Sequence, residues 1–194
     1  MSILPYQIRS IKCSVKIPVP LDLSFVGKRC KELNAKADTY PNFVVFSVWE
    51  CKDLPPSLNK NIKYILFRYG RNSQSQHCNI CGIIDPEHVL ECVKLLAKVI
   101  QLDQSQLSHT IDNFCATTKL PTKINKIRFV RINPCAFQQF ERFPAIFLRS
   151  KSKVVILIYA SGSVVFSGAR NTGQIVEAFD YLKSCYAKYM NMRQ

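Results

Sequence analysis

Near its C-terminus the chain places apolar side chains on both faces of a predicted hairpin. Residues 156–170, ILIYASGSVVFSGAR, predict two short strands joined by a turn at Ser161 and Gly162. Successive residues of a strand point to opposite faces, and neither face of this hairpin is predominantly polar. One face is expected to pack on a core, so the other is expected to meet something other than water.

Two longer segments show the spacing of amphipathic helices. The first, DPEHVLECVKLLAKVIQLD, begins at Asp85 with a helix-capping residue, a proline and an early acid. The second, NTGQIVEAFDYLKSCYAKYM, begins at Asn171 and carries lysines late in the helix, where they suit its dipole. Each segment has one apolar stripe, which predicts that each helix packs on one face of an antiparallel sheet.

The same order of elements occurs twice along the chain. Each half contains an extended opening, a polar helical stretch, three strands and a long amphipathic helix, although residues 123–135 of the second half show no clear pattern. The separation of matching residues falls from 100 for Phe43 and Phe143 to 86 for Gly82 and Gly168. This decrease indicates that the first half contains insertions.

The insertions are expected near residues 52–61 and 70–76, where the sequence is polar and rich in turn-forming residues. We therefore predict two repeats, a more divergent one at residues 1–104 and a second at residues 105–194. The predicted fold class is α+β, and the repeats are expected to join edge to edge into one antiparallel sheet with helices on one side only.

The composition favours an intracellular protein that binds polyanions. Lys and Arg total 27 against 13 Asp and Glu, a formal charge of +14, and an excess of this size attracts nucleic acid or acidic membrane surfaces. The nine cysteines, an odd number scattered through apolar runs, are typical of reduced thiols and not of a secreted disulfide scaffold. No apolar run approaches the roughly 18 residues of a membrane span, and the first residues lack a long apolar segment, so we expect neither membrane insertion nor secretion.

Two segments of the second half carry a resemblance to a known family. The segment FPAIFLR and the run VVILIYASGSVVFSGAR, followed by IVEAFDYL, resemble the second repeat of the TATA-binding protein core. The resemblance extends over about residues 111–189, and the first repeat, about 8–102, is recognisable through IKYILF, CGI and its long helix. It implies a pseudo-twofold saddle, in which two repeats form one curved ten-stranded antiparallel sheet with four helices on the convex face.

The same resemblance implies a general transcription initiation factor that acts in the nucleus. Such a factor binds double-stranded, A·T-rich promoter DNA such as a TATA box through the minor groove, bends it, and nucleates the assembly of the preinitiation complex. The implied protein partners are transcription factor IIB-like and IIA-like factors, with Glu141 at the contact to transcription factor IIB. The resemblance implies no enzyme activity, no cofactor or metal, no small-molecule substrate and no membrane.

Four aromatic residues match the two pairs of phenylalanines that this family wedges between base steps. They are Phe43, Phe67, Phe143 and Tyr159. Flat apolar rings suit this role because they replace part of the lost base stacking. Tyr159 departs from the four-phenylalanine pattern, because its hydroxyl must be hydrogen-bonded or hydrated if the ring is inserted.

The resemblance also assigns residues to the surface that faces the minor groove. They are Ser10, Lys12, Ile65, Asn79 and Cys81 in the first repeat, and Asn113, Cys115, Leu157, Val165 and Ser167 in the second. A sheet that meets the minor groove needs an apolar surface of low charge, because the groove offers few hydrogen-bonding distinctions beyond A·T against G·C. Arg149 matches a phosphate-binding arginine, whereas its first-repeat equivalent, Trp49, cannot neutralise a phosphate.

Three other functions are compatible with parts of the sequence. Cys78, Cys81, His88 and Cys92 are zinc-type ligands, but residues three apart on a strand point to opposite faces and the spacing to His88 is short. The histidines lack convincing nucleophile and carboxylate companions, which argues against catalysis. The main alternative is a paralogue of the family, or another sheet-based protein, with a non-TATA or single-stranded target, because aromatic residues on an open basic sheet also stack on unpaired bases.

Overall fold

The fold is given by a computed structural model that describes residues 3–47, 62–70, 75–139 and 143–192. The chain divides into two units. We call Ser10–Asp112 the N-terminal unit, and Met1–Arg9 together with Asn113–Gln194 the C-terminal unit.

Within the described residues, the N-terminal unit contains five strands and two helices. The strands are β1 (Gln7–Ile17), β2 (Lys36–Thr39), β3 (Phe43–Ser47), β4 (Lys63–Phe67) and β5 (Gln76–Ile83), and the helices are α1 (Leu23–Glu32) and α2 (Val89–Ile100). Neighbouring strands are antiparallel, in the order β2-β3-β4-β5-β1.

Side-chain caps fix where the helices of the N-terminal unit begin. Asp22 accepts a hydrogen bond from Ser24 N at the start of α1, and Asp85 accepts one from Glu87 N in the short 3-10 turn that leads into α2. Helix α2 ends where Gln101 adopts left-handed backbone angles, with φ at 57°. The predicted capping role of Asp85 is therefore confirmed.

Helix packing covers one face of the strands in the N-terminal unit. The buried Tyr64 ring of β4 stacks on Phe46 of β3 with 4.9 Å between ring centres, and its hydroxyl donates to the Cys92 carbonyl of α2 at 3.2 Å. Leu66, two residues further along β4, is also buried, and Ile65 between them points to the opposite face. The helices thus leave that opposite face uncovered.

The C-terminal unit has the same composition of elements in its described residues. Its strands are β6 (Ser108–Lys119), β7 (Ala136–Gln138), β8 (Ile146–Arg149), β9 (Val155–Ile158) and β10 (Ser163–Ala169), and its helices are α3 (Lys126–Ile132) and α4 (Thr172–Asn191). Neighbouring strands are antiparallel in the order β6-β10-β9-β8-β7. The first five residues of β6 belong to the N-terminal unit, and the first three residues of β1 belong to the C-terminal unit.

Aromatic contacts join the helices of the C-terminal unit to each other and to the strands. Phe166 of β10 meets Phe179 of α4 edge-to-face, with 6.2 Å between ring centres. Phe129 of α3 packs against Tyr189 of α4 at 5.5 Å, and both rings are buried. The core of this unit therefore lies between α4 and one face of the strands.

The ten antiparallel strands and four helices that the resemblance implies are confirmed in the described residues. The order predicted from the repeats was wrong in one respect, because it contained neither of the short strands β2 and β7. Helix α3 lies inside residues 123–135, the segment without a clear pattern. It has seven residues, of which only Phe129 is buried, while Ile127 is exposed, so no apolar stripe marks it. A cap and a tertiary contact define it: Asn125 accepts from Arg128 N, and Phe129 packs on α4.

Parts of the predicted organisation lie outside the described residues. These parts are the first predicted insertion, 52–61, and residues 71–74 of the second, after which β5 begins at Gln76. The division of the sequence into repeats 1–104 and 105–194 stays a prediction. Among the described helices, none has the length and apolarity that a membrane crossing requires.

Candidate nucleic-acid interface

In each unit, one face of the strands lies opposite the helices, and we call it the open face. In the N-terminal unit it carries Ser10, Lys12, Ser14, Phe43, Val45, Lys63, Ile65, Phe67, Asn79 and Cys81. In the C-terminal unit it carries Asn113, Cys115, Thr117, Phe137, Phe147, Arg149, Val155, Leu157, Val165 and Ser167. These residues alternate with buried ones along their strands, so all of the residues predicted for the groove surface lie on the open faces.

The open face of the C-terminal unit contains a continuous apolar row. Phe137, Phe147, Leu157, Val165 and Thr117 are successive cross-strand partners from β7 to β6. Neighbouring side chains in such a row lie close enough to form one surface. The result is a strip of aromatic and aliphatic side chains that ends at a threonine.

The corresponding row of the N-terminal unit is more polar. Val45, Ile65, Asn79 and Ser14 are successive partners from β3 to β1. The row starts with two aliphatic residues and ends with an amide and a hydroxyl. The two units therefore offer open faces of different polarity.

Aromatic residues at the ends of β3 and β4 form a cluster in the N-terminal unit. Phe43 and Phe67 are cross-strand partners with 6.3 Å between ring centres. Tyr40 stacks on Phe43 at 4.6 Å, with 26° between the ring planes. The structure thus brings the two predicted first-repeat wedge residues together and adds a third ring beside them.

The C-terminal unit holds a larger aromatic cluster. The ring centres of Phe143 and Tyr159, the two predicted second-repeat wedge residues, are 6.4 Å apart. Phe147 lies 5.3 Å from Phe143, and Phe137 stacks on Phe147 at 5.2 Å with only 11° between the planes. Four rings therefore adjoin one another at this end of the open face.

A tight hairpin turn positions Tyr159 just after β9. Tyr159 N donates to Ser163 O at 2.9 Å, and Gly162 N donates back to Tyr159 O at 2.9 Å. Gly162 has φ of +85°, and a side chain there would meet the Thr122 carbonyl oxygen at 2.7 Å. Leu120 N also donates to Gly162 O at 2.8 Å, so the turn is held against the segment that follows β6. The turn predicted at Ser161 and Gly162 is confirmed.

A glycine in β10 orients the side chain of Asn113. The pairing of β10 with β6 shifts register between Phe166 and Ala169, and Gly168 within this irregularity has φ of +92°. Gly168 N donates to Asn113 Oδ1 at 2.6 Å. Because the amide oxygen is engaged, the Asn113 NH2 group is left to donate to an acceptor on the open face.

Polar groups of the N-terminal unit meet around Ser14. Its Oγ lies 3.0 Å from Asn79 Oδ1 and also bonds to Asp112 Oδ2, while Lys12 Nζ lies 3.6 Å from the same Asp112 oxygen. Burial raises the pKa of the nearby Cys81 thiol, although Lys12 opposes the shift. The thiol is therefore neutral at physiological pH, and the charges at this place belong to Lys12 and Asp112.

One predicted contact, that of Glu141 to transcription factor IIB, lies outside the described residues. So does Trp49, which stands at the first-repeat position equivalent to Arg149. Arg149, predicted to bind phosphate, is exposed at the end of β8 on the same face as Phe147.

The zinc-type residues of β5 and its neighbours do not converge. Cys78 is fully buried on the helix-covered face, whereas Cys81, three residues later, lies on the open face. Burial raises the pKa of the Cys78 thiol far above its ordinary value, which disfavours the thiolate that zinc requires. Within the described ranges, no group of three or more His, Cys, Asp or Glu side chains is arranged to hold a metal.

Sequence reasoning did not single out Phe137 and Phe147 as open-face residues, nor Tyr40 and Asp112 as side chains that contact the open face. The alternation along β8 would have identified Phe147, because the apolar Ile146 and Leu148 on either side point to the core. Asp112 has no such signal, since its place beside Ser14 depends on which strands become neighbours.

Comparison with known proteins extends these observations. A family model described as transcription factor TFIID, or TATA-binding protein, matches residues 108–188. The TATA-box-binding protein of Pyrobaculum calidifontis is 25% identical over 184 residues, which cover 91% of this chain and 83% of that protein. The TATA-box-binding protein of Thermococcus kodakarensis is 32% identical over 93 residues, 45% of this chain and 49% of that protein. The solved structure of Methanococcus jannaschii TBP has the same fold, with a TM-score of 0.61 at 22% identity over 96% of this chain and 98% of that one.

The chain thus resembles the TATA-binding proteins in sequence and has their fold. The matched family model is described as a transcription factor, and the relatives are described as TATA-box-binding proteins. The match to the TATA-binding protein model falls in the second half, where the resemblance read from the sequence is strongest. The roles of individual open-face residues remain proposals.

Proposed function

We propose that this protein is a transcription initiation factor that binds A·T-rich promoter DNA through the minor groove and bends it. The DNA-binding surface consists of the open faces of its two units. The observation that carries the proposal is the apolar row of the C-terminal unit, Phe137 to Thr117, which neither of that unit's helices covers. On this proposal, its ligand is a surface that is itself partly apolar.

The minor groove of A·T-rich DNA is such a surface. Its walls are sugars, and its floor presents adenine N3 and thymine O2 as acceptors, with few further distinctions. Aliphatic residues such as Leu157 and Val165 suit the walls, and donors such as the Asn113 NH2 group suit the floor. The formal charge of +14 adds the long-range attraction that any DNA-binding surface needs.

The aromatic clusters supply the bending. Rings inserted between base steps replace part of the lost stacking and kink the duplex, a mechanism for which the TATA-binding proteins are themselves the type example. Phe43 and Phe67 would act in one unit, and Phe143 and Tyr159 in the other. Their pairing supports this role, because the two rings of each pair lie close together, with 6.3 Å between the ring centres in one unit and 6.4 Å in the other.

The proposal includes the assembly of a preinitiation complex. Transcription factor IIB-like and IIA-like factors would bind the protein on DNA, with Glu141 as one contact to the former. The protein would act in the compartment that contains the DNA. This compartment is the nucleus in a eukaryotic cell, which is the location predicted in the sequence analysis, and the cytoplasm in archaea, the source of the relatives named above.

Binding and bending can be measured on labelled DNA. Fluorescence anisotropy would compare an A·T-rich duplex that contains a TATA sequence with a G·C-rich duplex and a single-stranded RNA of equal length at matched salt. Energy transfer between dyes at the two duplex ends would report bending. We expect tightest binding to the A·T-rich duplex and a shortened end-to-end distance. Tighter binding to the RNA would favour the alternative, a sheet that stacks on unpaired bases.

A matched pair of variants tests whether the open face performs this function. Phe67 on the open face and Phe25 on α1 belong to the same unit and are equally exposed, at 38%. We expect Phe67→Ala to weaken binding by about tenfold and to reduce the bend, because ring stacking on a base is worth roughly 1–3 kcal/mol. Phe25→Ala should change neither quantity. Equal losses in both variants would contradict the proposal.

A further inference from the structure

The N-terminal unit carries a carboxylate that contacts two residues of its open face, Lys12 and Ser14. The Asp112 side chain is 34% exposed and pairs with Lys12 at 3.6 Å, and Ser14 Oγ bonds to the same oxygen, Oδ2. Both of these contacts fall on Oδ2, so Oδ1 takes part in neither of them. A carboxylate at this place would repel phosphate groups, so phosphate binding does not explain it.

The C-terminal unit carries the opposite charge at the equivalent position. Residues 9 and 112 match between the repeats, as do 14 and 117, since both pairs are 103 residues apart. Arg9 Nε donates to Thr117 Oγ1 at 2.9 Å within the C-terminal unit, just as Asp112 contacts Ser14 within the N-terminal unit. Each unit thus has a charged side chain bound to the corresponding hydroxyl, and the charge is positive in one and negative in the other.

The opposite charges of Arg9 and Asp112 would bind different groups in the minor groove. An A·T pair presents only acceptors there, whereas a G·C pair adds one donor, the guanine N2 amino group. Arg9 and Lys12 can donate to acceptors, but a carboxylate can only accept. Opposite an A·T pair, the Asp112 carboxylate would face further acceptors, which is unfavourable, while the guanine amino group would satisfy it.

We propose that Asp112 recognises a guanine amino group, so that the binding site of this protein contains one favoured G·C pair within otherwise A·T-rich DNA. The inference rests on the proposed function, because it assumes that the open face meets the minor groove. Opposite the apolar residues of the open faces and opposite Asn113, a G·C pair is disfavoured. Ile65, Leu157 and Val165 offer no acceptor, and Asn113 Oδ1 is already bound by Gly168 N, so a guanine amino group there would lose its water without a partner.

Base analogues test the contact without altering the protein. A single G·C pair is moved through each position of an A·T-rich duplex, and at each position guanine is then replaced by inosine, which lacks only the minor-groove amino group. We expect one position at which G·C binds roughly 5- to 100-fold tighter than inosine·C, the range for one specific base contact. Replacing adenine by 2,6-diaminopurine at that position adds the amino group to an A·T-type pair and should also tighten binding.

Substitutions at Asp112 then assign the preference to this residue. Asp112→Val removes every acceptor and should bring the G·C to inosine·C ratio close to one. Asp112→Asn keeps a weaker, neutral acceptor and adds donors, so it should reduce the ratio and strengthen binding to the all-A·T duplex. Glu91→Gln, on helix α2 of the same unit, removes the same charge away from the open face and should leave the ratio unchanged. Circular dichroism melts check that each variant is folded.

The possible outcomes separate the inference from the proposed function. A·T-specific duplex binding with no position that prefers the amino group would overturn the inference and leave the proposed function standing. A preference that survives Asp112→Val would assign it to another residue and would also overturn the inference. If the protein binds no duplex, both the proposed function and the inference are contradicted. If the ratio collapses in Asp112→Val and persists in Glu91→Gln, the inference is supported.

Discussion

Tyr159 and Phe67 occupy matching places in the two units. Phe67 ends β4 beside Phe43, and Tyr159 follows β9 beside Phe143, with nearly equal distances between the ring centres of each pair, 6.3 and 6.4 Å. The two residues differ by one hydroxyl. That hydroxyl has to keep a hydrogen bond or a water molecule wherever the ring goes.

We expect Tyr159→Phe to strengthen DNA binding about 3- to 10-fold and to increase the bend, because the desolvation of an unpaired hydroxyl no longer opposes ring insertion. Anisotropy titrations and end-to-end energy transfer would measure both effects. Tyr181→Phe, on α4 of the same unit, makes the same chemical change away from the open face and should have no effect. Unchanged affinity and bend in Tyr159→Phe would show that the hydroxyl stays hydrated and that this departure from the family pattern is incidental.

Open-face residues could be predicted from the sequence where alternation along a single strand decides on which face a side chain lies. The parity of Leu157, Tyr159 and Val165 along the hairpin was sufficient, because the turn at Ser161 and Gly162 fixes the register of β9 against β10. Parity fails for Asp112, whose neighbour Ser14 is 98 residues away in the chain. No local pattern encodes such a contact.

At the scale of elements, the hairpin of β9 and β10 depends on one glycine. Gly162 combines a left-handed φ of +85° with close backbone neighbours, since an added Cβ would lie 2.7 Å from Thr122 O and 3.0 Å from Leu120 O. The left-handed φ disfavours any residue with a side chain, and the two carbonyl oxygens leave no space for a Cβ atom. The turn and the segment after β6 therefore support each other.

We expect Gly162→Ala to lower the free energy of unfolding by about 2–4 kcal/mol, because it combines left-handed strain with overlap against two carbonyls. Urea unfolding followed by circular dichroism would measure the change. The control is Gly173→Ala in the first turn of α4, where an added Cβ would lie 3.3 Å from Asn171 Oδ1. That change should stay within about 1 kcal/mol. Similar losses in the two variants would mean that the turn is not tightly constrained.

The elements that sequence reasoning predicted share a clear periodicity, and α3 shows what happens without one. Helices α2 and α4 have buried stripes long enough to be recognised, whereas α3 buries only Phe129 among its seven residues. Its position depends on the ring of Tyr189 in α4, 60 residues further along the chain. A helix stabilised by such a contact cannot be identified from a local window.

For the whole molecule, the excess of 14 positive charges predicts that binding weakens as salt rises. Only the cations that meet phosphates contribute to the slope of log K against log salt concentration, because only they release bound counterions. Arg149, exposed on the open face at the end of β8, is expected to be one of them.

We expect Arg149→Ala to make this salt slope shallower by about one and to weaken binding to different DNA sequences by similar factors. Anisotropy titrations at a series of potassium chloride concentrations would measure the slope. Arg131→Ala, an exposed arginine on α3 of the same unit, is the matched control and should leave the slope unchanged. A normal slope in Arg149→Ala would remove this residue from the phosphate contacts.

An open sheet can polymerise through its edge strands, because their unpaired backbone N–H and C=O groups can bind strands of other chains. One end of each unit's strand order is a short strand, β2 with four residues and β7 with three. β2 further exposes a lysine and an aspartate, Lys36 and Asp38. Such short and charged edge strands offer few backbone hydrogen bonds to a neighbouring chain. They therefore disfavour aggregation through these edges, even though the open faces are partly apolar.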